Sequence, residues 1–510
     1  MSRFDRRSFL IAATAALAAP RLWARPAFAA YPFSLGIASG APLPDGIVLW
    51  TRLAPDPLNG GGLPPAAIEV RWEVARDAGF RDIVRHGRAL AEPRYAHSVH
   101  VEVEGLAPAR WYWYRFMAGD AVSAAGRTRT APPGGATSDR LRFAFASCQQ
   151  YEQGYYAAHR HMAAENLDLV VFLGDYIYES SWGSRHVRKH EAPEPVTLEQ
   201  YRNRYARYKS DADLQRCHAA FPWLVTWDDH EVDNDYANDR SEDLDPNFLV
   251  RRAAAYQAYW EHMPLRKQSL PAGPRMRLYG RYDFGGLARF HVLDGRQYRD
   301  HQVCPRFGRG GSNAVDDPNC PERLGTQRTL LGTEQENWLY AGLAASRARW
   351  NILAQQLLMA QTVRKPGPER KFWSDGWDGY PAARTRLLQA IAGQRPANPL
   401  VIGGDVHFNC VSDLRVDFDD TQSPAVATEF CGTSISSQGQ SQARLDALRA
   451  ENPHVRFANG EKRGYVVMDL AARRCLAELR VIDSEKAADS PVSTLATFVV
   501  EDGRPGAEAA

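Results

Sequence analysis

The sequence predicts a layered α/β fold placed behind an all-β N-terminal domain. Three observations carry that reading. Residues 31–135 show period-two alternation and no helical stretch. After Pro132-Pro133-Gly134-Gly135, short apolar runs alternate with longer amphipathic ones. Several of those runs end in clusters of polar residues. A chain of 510 residues exceeds one ordinary core, so two domains are expected. Hydrophobic content of 44 %, charged content of 24 % and a net charge of +2 are ordinary for a globular protein. That balance points to neither a nucleic-acid nor a membrane partner.

The N-terminus reads as an address. Asp5-Arg6-Arg7-Ser8-Phe9-Leu10 is a twin-arginine motif, and an apolar stretch from Leu10 to Ala19 follows, broken by Pro20. Ala27-Phe28-Ala29 offers small residues at the positions a signal peptidase reads. Residues 1–29 are therefore expected to be a twin-arginine signal. The export machinery is an expected partner, and the mature chain is expected in the periplasm or outside the cell. No later apolar run is long enough to span a bilayer. Of the seven cysteines, Cys304 and Cys320 flank a polar loop and are expected to form a bridge. The odd count leaves at least one thiol over.

Within the β domain, Ile68, Val70, Trp72 and Val74 alternate with Glu69, Arg71 and Glu73. Val99, Val101 and Val103 alternate with His100, Glu102 and Glu104, and Trp111–Phe116 is a further aromatic strand. A small β-sandwich is expected over 31–135. The α/β domain is expected over 140–485, with strands at 141–146, 167–173, 224–227, 290–293, 351–353 and 400–402. Residues 486–510 read as a tail. Tyr201-Arg202-Asn203-Arg204-Tyr205 has helical spacing and reads as a solvated helix face. Trp373-Ser374-Asp375-Gly376-Trp377-Asp378-Gly379-Tyr380 reads as a pocket wall or a packed lid.

The chemistry gathers at strand ends, where ligands of open α/β sheets sit. The first strand ends in Ser147-Cys148-Gln149 and the second in Gly174-Asp175-Tyr176-Ile177-Tyr178-Glu179. The third ends in Asp228-Asp229-His230-Glu231, continuing to Asn234, and a later one in Gly404-Asp405-Val406-His407. Carboxylates converging on one edge raise each other's pKa, and only cations let them ionise together. Thiolate and phenolate suit a ferric ion. The carboxylates and amides suit calcium, magnesium or manganese. Glycines before Asp175 and Asp405 are expected to permit sharp turns.

These residues, in this order, resemble the alkaline phosphatase D (PhoD-like) family, a branch of the calcineurin-like metallophosphoesterases. Gly174-Asp175-x-x-Tyr178 matches the superfamily motif directly. Asp229-His230-Glu231 carries Asp where Asn is usual, Gly404-Asp405-x-His407 carries Asp for the first His, and Cys148 replaces the opening carboxylate. Those departures are the pattern of the PhoD-like branch. Leu35–Gly40 and Ile47–Arg52 are similar to it too, and Gly105-Leu106-Ala107-Pro108 resembles fibronectin type III sequence.

The resemblance implies a metallophosphoesterase domain, a layered sandwich of two sheets flanked by helices, behind a fibronectin III-like one. It implies an exported enzyme that hydrolyses phosphomonoesters or phosphodiesters by attack of metal-activated water. Cys148, Asp175 and Tyr178 would hold Fe3+, with Asp175 bridging to a second metal. Asp229, Asp405 and His407 would complete the cluster with Ca2+, or Mg2+ or Mn2+ at the non-iron positions. Asp228 and Asn234 are further ligand candidates, Asp228 alternatively a partner of Asp229 or His230. His230 would donate to the leaving oxygen or the phosphate. Arg296 would clamp a phosphoryl oxygen or form a structural salt bridge. The lone His of the superfamily has no clear counterpart, and Gln355 or Gln356 falls at its place. Other readings are a diesterase acting on lipid or wall polymers, a secreted binding protein that has lost catalysis, and a redox enzyme.

Overall fold

A computed structural model of the chain describes residues 28–365 and 369–510. The twin-arginine motif and its apolar stretch lie outside the described residues. Two sheets stack face to face. The first has ten strands. Within it Arg140–Ala146, Leu169–Phe172, Pro222–Val225 and Ile37–Gly40 are neighbours and run parallel. The second has seven strands, with Ala288–Val292, Trp350–Ala354, Pro399–Gly403 and Ala425–Cys431 parallel. Each apolar run expected as a strand is one, its ends shifted by no more than a residue or two.

The packing explains why those runs are apolar throughout. Leu141, Phe143 and Phe145 meet Phe290, Ile352, Leu400 and Phe430 between the sheets. Ala144 and Ala146, on the opposite face, meet helices Ala157–Ala164, Leu198–Lys209, Ala212–Ala220 and Phe248–His262. Helices Thr333–Ala344 and Pro381–Gln394 cover the outer face of the second sheet. Strands covered on both faces have no side to leave polar.

The N-terminal strands form a sandwich, but not a separate one. Ile68–Ala75, Ile83–Ala91, Trp111–Ala118, Ala121–Val122 and Gly126–Arg129 make their own sheet. Its inner face (Val70, Val74, Tyr114) packs on Ile37, Leu49 and Val101. Those last residues belong to the outer strands of the ten-stranded sheet, where Ile37–Gly40 pairs with Pro222–Val225. The sandwich is therefore continuous with the α/β layer. The segment read as a tail also joins that sheet at its other end. Val492–Glu501 pairs along Arg474–Ile482, burying Phe498 and Val500. The Ala- and Gly-rich last residues masked that alternation. Cys304 and Cys320 are bonded, and the other five cysteines are buried thiols.

The helix Leu198–Lys209 departs from expectation. It opens on a capping box between Thr197 and Gln200. Tyr201, Arg204, Tyr205, Tyr208 and Lys209 are buried rather than solvated. The helix lies under the strand-end loops, and its polar groups serve backbone there: Arg204 donates to the carbonyls of Tyr178 and Glu179, and Tyr201 to that of Val232.

Lys209 yields a test. Its ammonium lies 4.2 Å from the Trp50 ring centroid and 5.4 Å from that of Tyr176. Burial pushes it down from 10.5 to about 7. Between those two values the unfolded chain binds the proton and the folded chain does not, so stability rises with pH through that window. Unfolding midpoints in urea should increase from pH 7 to pH 9 more for the wild type than for Lys209→Met. Equal slopes would show that Lys209 stays charged in the fold.

Candidate metal centre and active site

Strands from both sheets end on one rim, and the polar clusters meet there. Cys148 follows Arg140–Ala146, Asp175 follows Leu169–Phe172, and Asp228 to His230 follow Pro222–Val225. Asp405 and His407 come from the second sheet, after Pro399–Gly403. The Cys148 Sγ, an Asp175 oxygen and a His407 nitrogen lie within 4.8 Å of one another. Asp175, Asp229 and His230 form a second such group.

The backbone is held under strain to achieve this. Cys148, Asp175, Asp405 and His407 have φ of 59°, 58°, 65° and 59°. Each left-handed non-glycine residue costs on the order of 1–2 kcal/mol, and such residues persist where surrounding structure over-determines them. Gly174 is required by its φ of 104° and by space, since a Cβ would lie 2.5 Å from the Asp228 nitrogen. Gly404 is required by space alone: a Cβ would lie 2.2 Å from Ser147 Oγ. That second glycine therefore serves close approach rather than the turn expected of it.

Hydrogen bonds fix the donors. Tyr178 OH donates to Asp175 Oδ2 at 2.8 Å, lies 3.1 Å from His407 Nε2, and accepts from Ser437 Oγ at 2.9 Å. Asp175 Oδ1 is buried without a hydrogen-bond partner among the described residues. His230 Nδ1 meets Glu179 Oε2 at 2.7 Å. The Glu231 carboxylate accepts N–H groups from Asp175, Tyr176 and Asp228, splinting two strand-end loops.

Electrostatics make the cluster unstable as a set of anions. Burial, then the nearby carboxylates, push the Asp175 and Asp405 carboxyls well above their usual range. Burial and then Asp175 do the same to the Cys148 thiol and the Tyr178 phenol. Burial lowers His407 to about 3, leaving a neutral imidazole that can ligate. For His230 burial acts downward too, but Glu179, Asp175 and Asp229 override it and hold the imidazolium. An unpartnered carboxylate oxygen beside a thiol, a phenol and a neutral imidazole fits a bound cation.

Asp175, Glu179, Asp229, His230, Asp405 and His407 line a cavity of about 650 Å³. Asn234 is also on its wall, but its amide nitrogen donates to Glu242 at 2.9 Å. Arg296 is not on that wall; it forms the buried ion pairs of the structural alternative. It is 0 % exposed beneath the acids, with Nε on Asp228 Oδ1 at 2.5 Å and Nη1 on Asp375 at 2.9 Å. Nε and Nη1 are committed to carboxylates that would otherwise be uncompensated, while Nη2 has no hydrogen-bond partner among the described residues and lies 3.6 Å from Asp229. Asp228 is thus tied to Arg296 by one oxygen, while its Oδ2 is buried and unpartnered. Gln355 and Gln356 are not ligands either. Gln355 is bonded to Leu357 backbone, and Gln356 to Thr226, Leu293 and Gly295.

The residue reading missed Glu179, Asp375 and Ser437 as site residues. Glu179 closes the Gly174–Tyr178 motif and could have been taken with it. Asp375 sits in the aromatic loop, and Ser437 in a Ser-rich turn, without any motif of their own.

Fold and site together define a phosphoric ester hydrolase on a layered α/β sandwich. A family model described as PhoD-like phosphatase matches residues 143–479, and one for the PhoD-like phosphatase N-terminal domain matches 17–132. The chain belongs to the PhoD-like phosphatase family. It is 48 % identical to alkaline phosphatase D of Bacillus subtilis (strain 168) over 526 residues, covering 99 % of this chain and 88 % of the relative. A solved structure described as "Structure of PhoD" superposes with a TM-score of 0.91 at 49 % identity, over 95 % of this chain and 93 % of that one. Among the described residues, no helix is long and apolar enough to cross a membrane.

Proposed function

We propose that this chain is an exported, metal-dependent phosphatase acting on phosphomonoesters, phosphodiesters or both. The observation that carries the reading is the buried, unpartnered Asp175 oxygen grouped with the Cys148 thiol and His407 imidazole. Cys148, Asp175 and Tyr178 would hold Fe3+. Asp229, Asp405 and His407 would complete the cluster, with Ca2+, Mg2+ or Mn2+ at the non-iron positions. When bound, these ions supply positive charge for phosphoryl oxygens and lower the pKa of water. The twin-arginine motif supports export, and the Gly105–Pro108 segment supports a fibronectin III-like reading of residues 31–135.

The chain's own groups do the rest. Glu179 holds His230 by Nδ1, which leaves Nε2 as the nitrogen free to act in the cavity that His230 lines. An imidazolium there donates to the leaving oxygen. The Tyr178 ring packs against the His230 ring, centroids 4.1 Å apart, limiting its rotation. Glu231 keeps Asp175 and Asp228 in register from below. Arg204 fixes the carbonyls of Tyr178 and Glu179, so both side chains keep their aim.

Metal-loaded full-length protein should release nitrophenol from 4-nitrophenyl phosphate or its bis ester, and lose that activity on chelation. Elemental analysis of protein purified after native export should find iron and calcium. No turnover of either ester with both metals present would overturn the reading.

A further inference from the structure

A second cavity of about 300 Å³ adjoins the acidic one, and the two share Arg364, Val406, Gln440 and Arg444 as wall residues. The second cavity is otherwise walled largely by apolar groups, Leu358, Phe408 and Leu448 among them, with the acidic Glu451 on its wall as well. Charge at the seam is opposite to charge at the centre. Arg309, on the acidic wall, is paired with Glu242 and Asp243. Arg364 is not paired: its guanidinium lies 4.6 Å from the Trp373 ring centroid and has no hydrogen bond or ion pair to any described residue. Arg444, in the first turn of Gln442–Glu451, has no carboxylate partner among the described residues either. Burial, and then the neighbouring Arg444 charge, press the Arg364 guanidinium down to about 10, against a smaller opposite pull from Asp378 and Asp405. Two like charges facing shared space are relieved by an anion between them.

We propose that Arg364 and Arg444 bind a second anionic group of the substrate, a phosphate or carboxylate on its organic part. The proposal rests on the phosphatase reading, with the scissile phosphoryl group at the acidic centre. Asp175, Asp229 and His230 line only the first cavity, whereas the arginines line both. A phosphoryl group at the centre therefore leaves them free. The Trp373 ring holds the Arg364 fork flat and in place, as stacking on an aromatic face does. The carbon skeleton between the two anions runs past Val406, the residue between Asp405 and His407.

Calorimetry on the metal-loaded full chain tests this without turnover. The probes are butylphosphonate, 1,4-butanebisphosphonate and 5-phosphonopentanoate. The wild type should bind one or both dianionic-ended probes at least about tenfold more tightly than butylphosphonate, and the better of the two tells phosphate from carboxylate. In Arg364→Gln/Arg444→Gln that ratio should fall to near one, and Arg364→Lys, which keeps charge but loses the fork, should recover only part of it. A wild-type ratio near one overturns the proposal. So does a ratio that survives in the double variant, or equal weakening of all three probes, which would mark the arginines as ligands of the scissile phosphoryl group. An intact ratio in a protein that turns over no ester would instead sink the phosphatase reading and leave the anion site standing.

Discussion

Asp175→Asn should lower kcat/KM for 4-nitrophenyl phosphate by roughly 10³-fold or more, about 4 kcal/mol of transition-state stabilisation. Elemental analysis should show metal lost in the same variant. The metal-free form of the variant should be as stable as the metal-free wild type, or more so. The reason is electrostatic. Without cations the Asp175 carboxyl is forced up by burial and by Asp228, Asp229 and Glu231, so its charge is a liability to the fold. An amide of the same shape removes that liability, and Tyr178 OH can still donate to its oxygen. Stability and activity should therefore move in opposite directions, as at sites where strain and charge serve function. A variant that keeps its metals and its turnover would show that Asp175 is only a turn residue.

Arg296→Met should cost about 3–5 kcal/mol of folding stability, read as a shift of the urea midpoint in metal-loaded protein. It removes the partner of Asp228 and Asp375 from a wholly buried position, and also the charge 3.6 Å from Asp229. The loss leaves uncompensated buried carboxylates, which is the expensive case. Arg296→Lys should recover little, because one ammonium cannot serve carboxylates on separate sides of a planar fork. Adding Asp228→Asn to Arg296→Met should restore part of the stability. Unchanged stability with a raised KM alone would return Arg296 to the role of substrate clamp.

Much of the site was legible because its donors sit next to marks that sequence carries. Each of Cys148, Asp175, Asp229 and Asp405 follows an apolar run at a short, readable distance, and the structure brings all of these strand ends to one rim. The helix carrying Arg204 was read wrongly because its polar residues look solvated in isolation. Only the loop packed over them supplies carbonyls to bond. The last strand was hidden by composition, although its alternation was present.

The apolar periods, the glycine before Asp175, the order of acid clusters and the Cys304–Cys320 loop belong to the sequence alone. They are properties of neighbours in the chain, where period and spacing translate directly into faces and turns. What only the tertiary structure decided is which polar group meets which. Arg296 and Asp228 are 68 residues apart and Arg296 and Asp375 are 79 apart. No local pattern distinguishes a cation committed to buried carboxylates from one free to meet substrate, such as Arg364. That distinction depends on burial and on partners the chain returns from a distance.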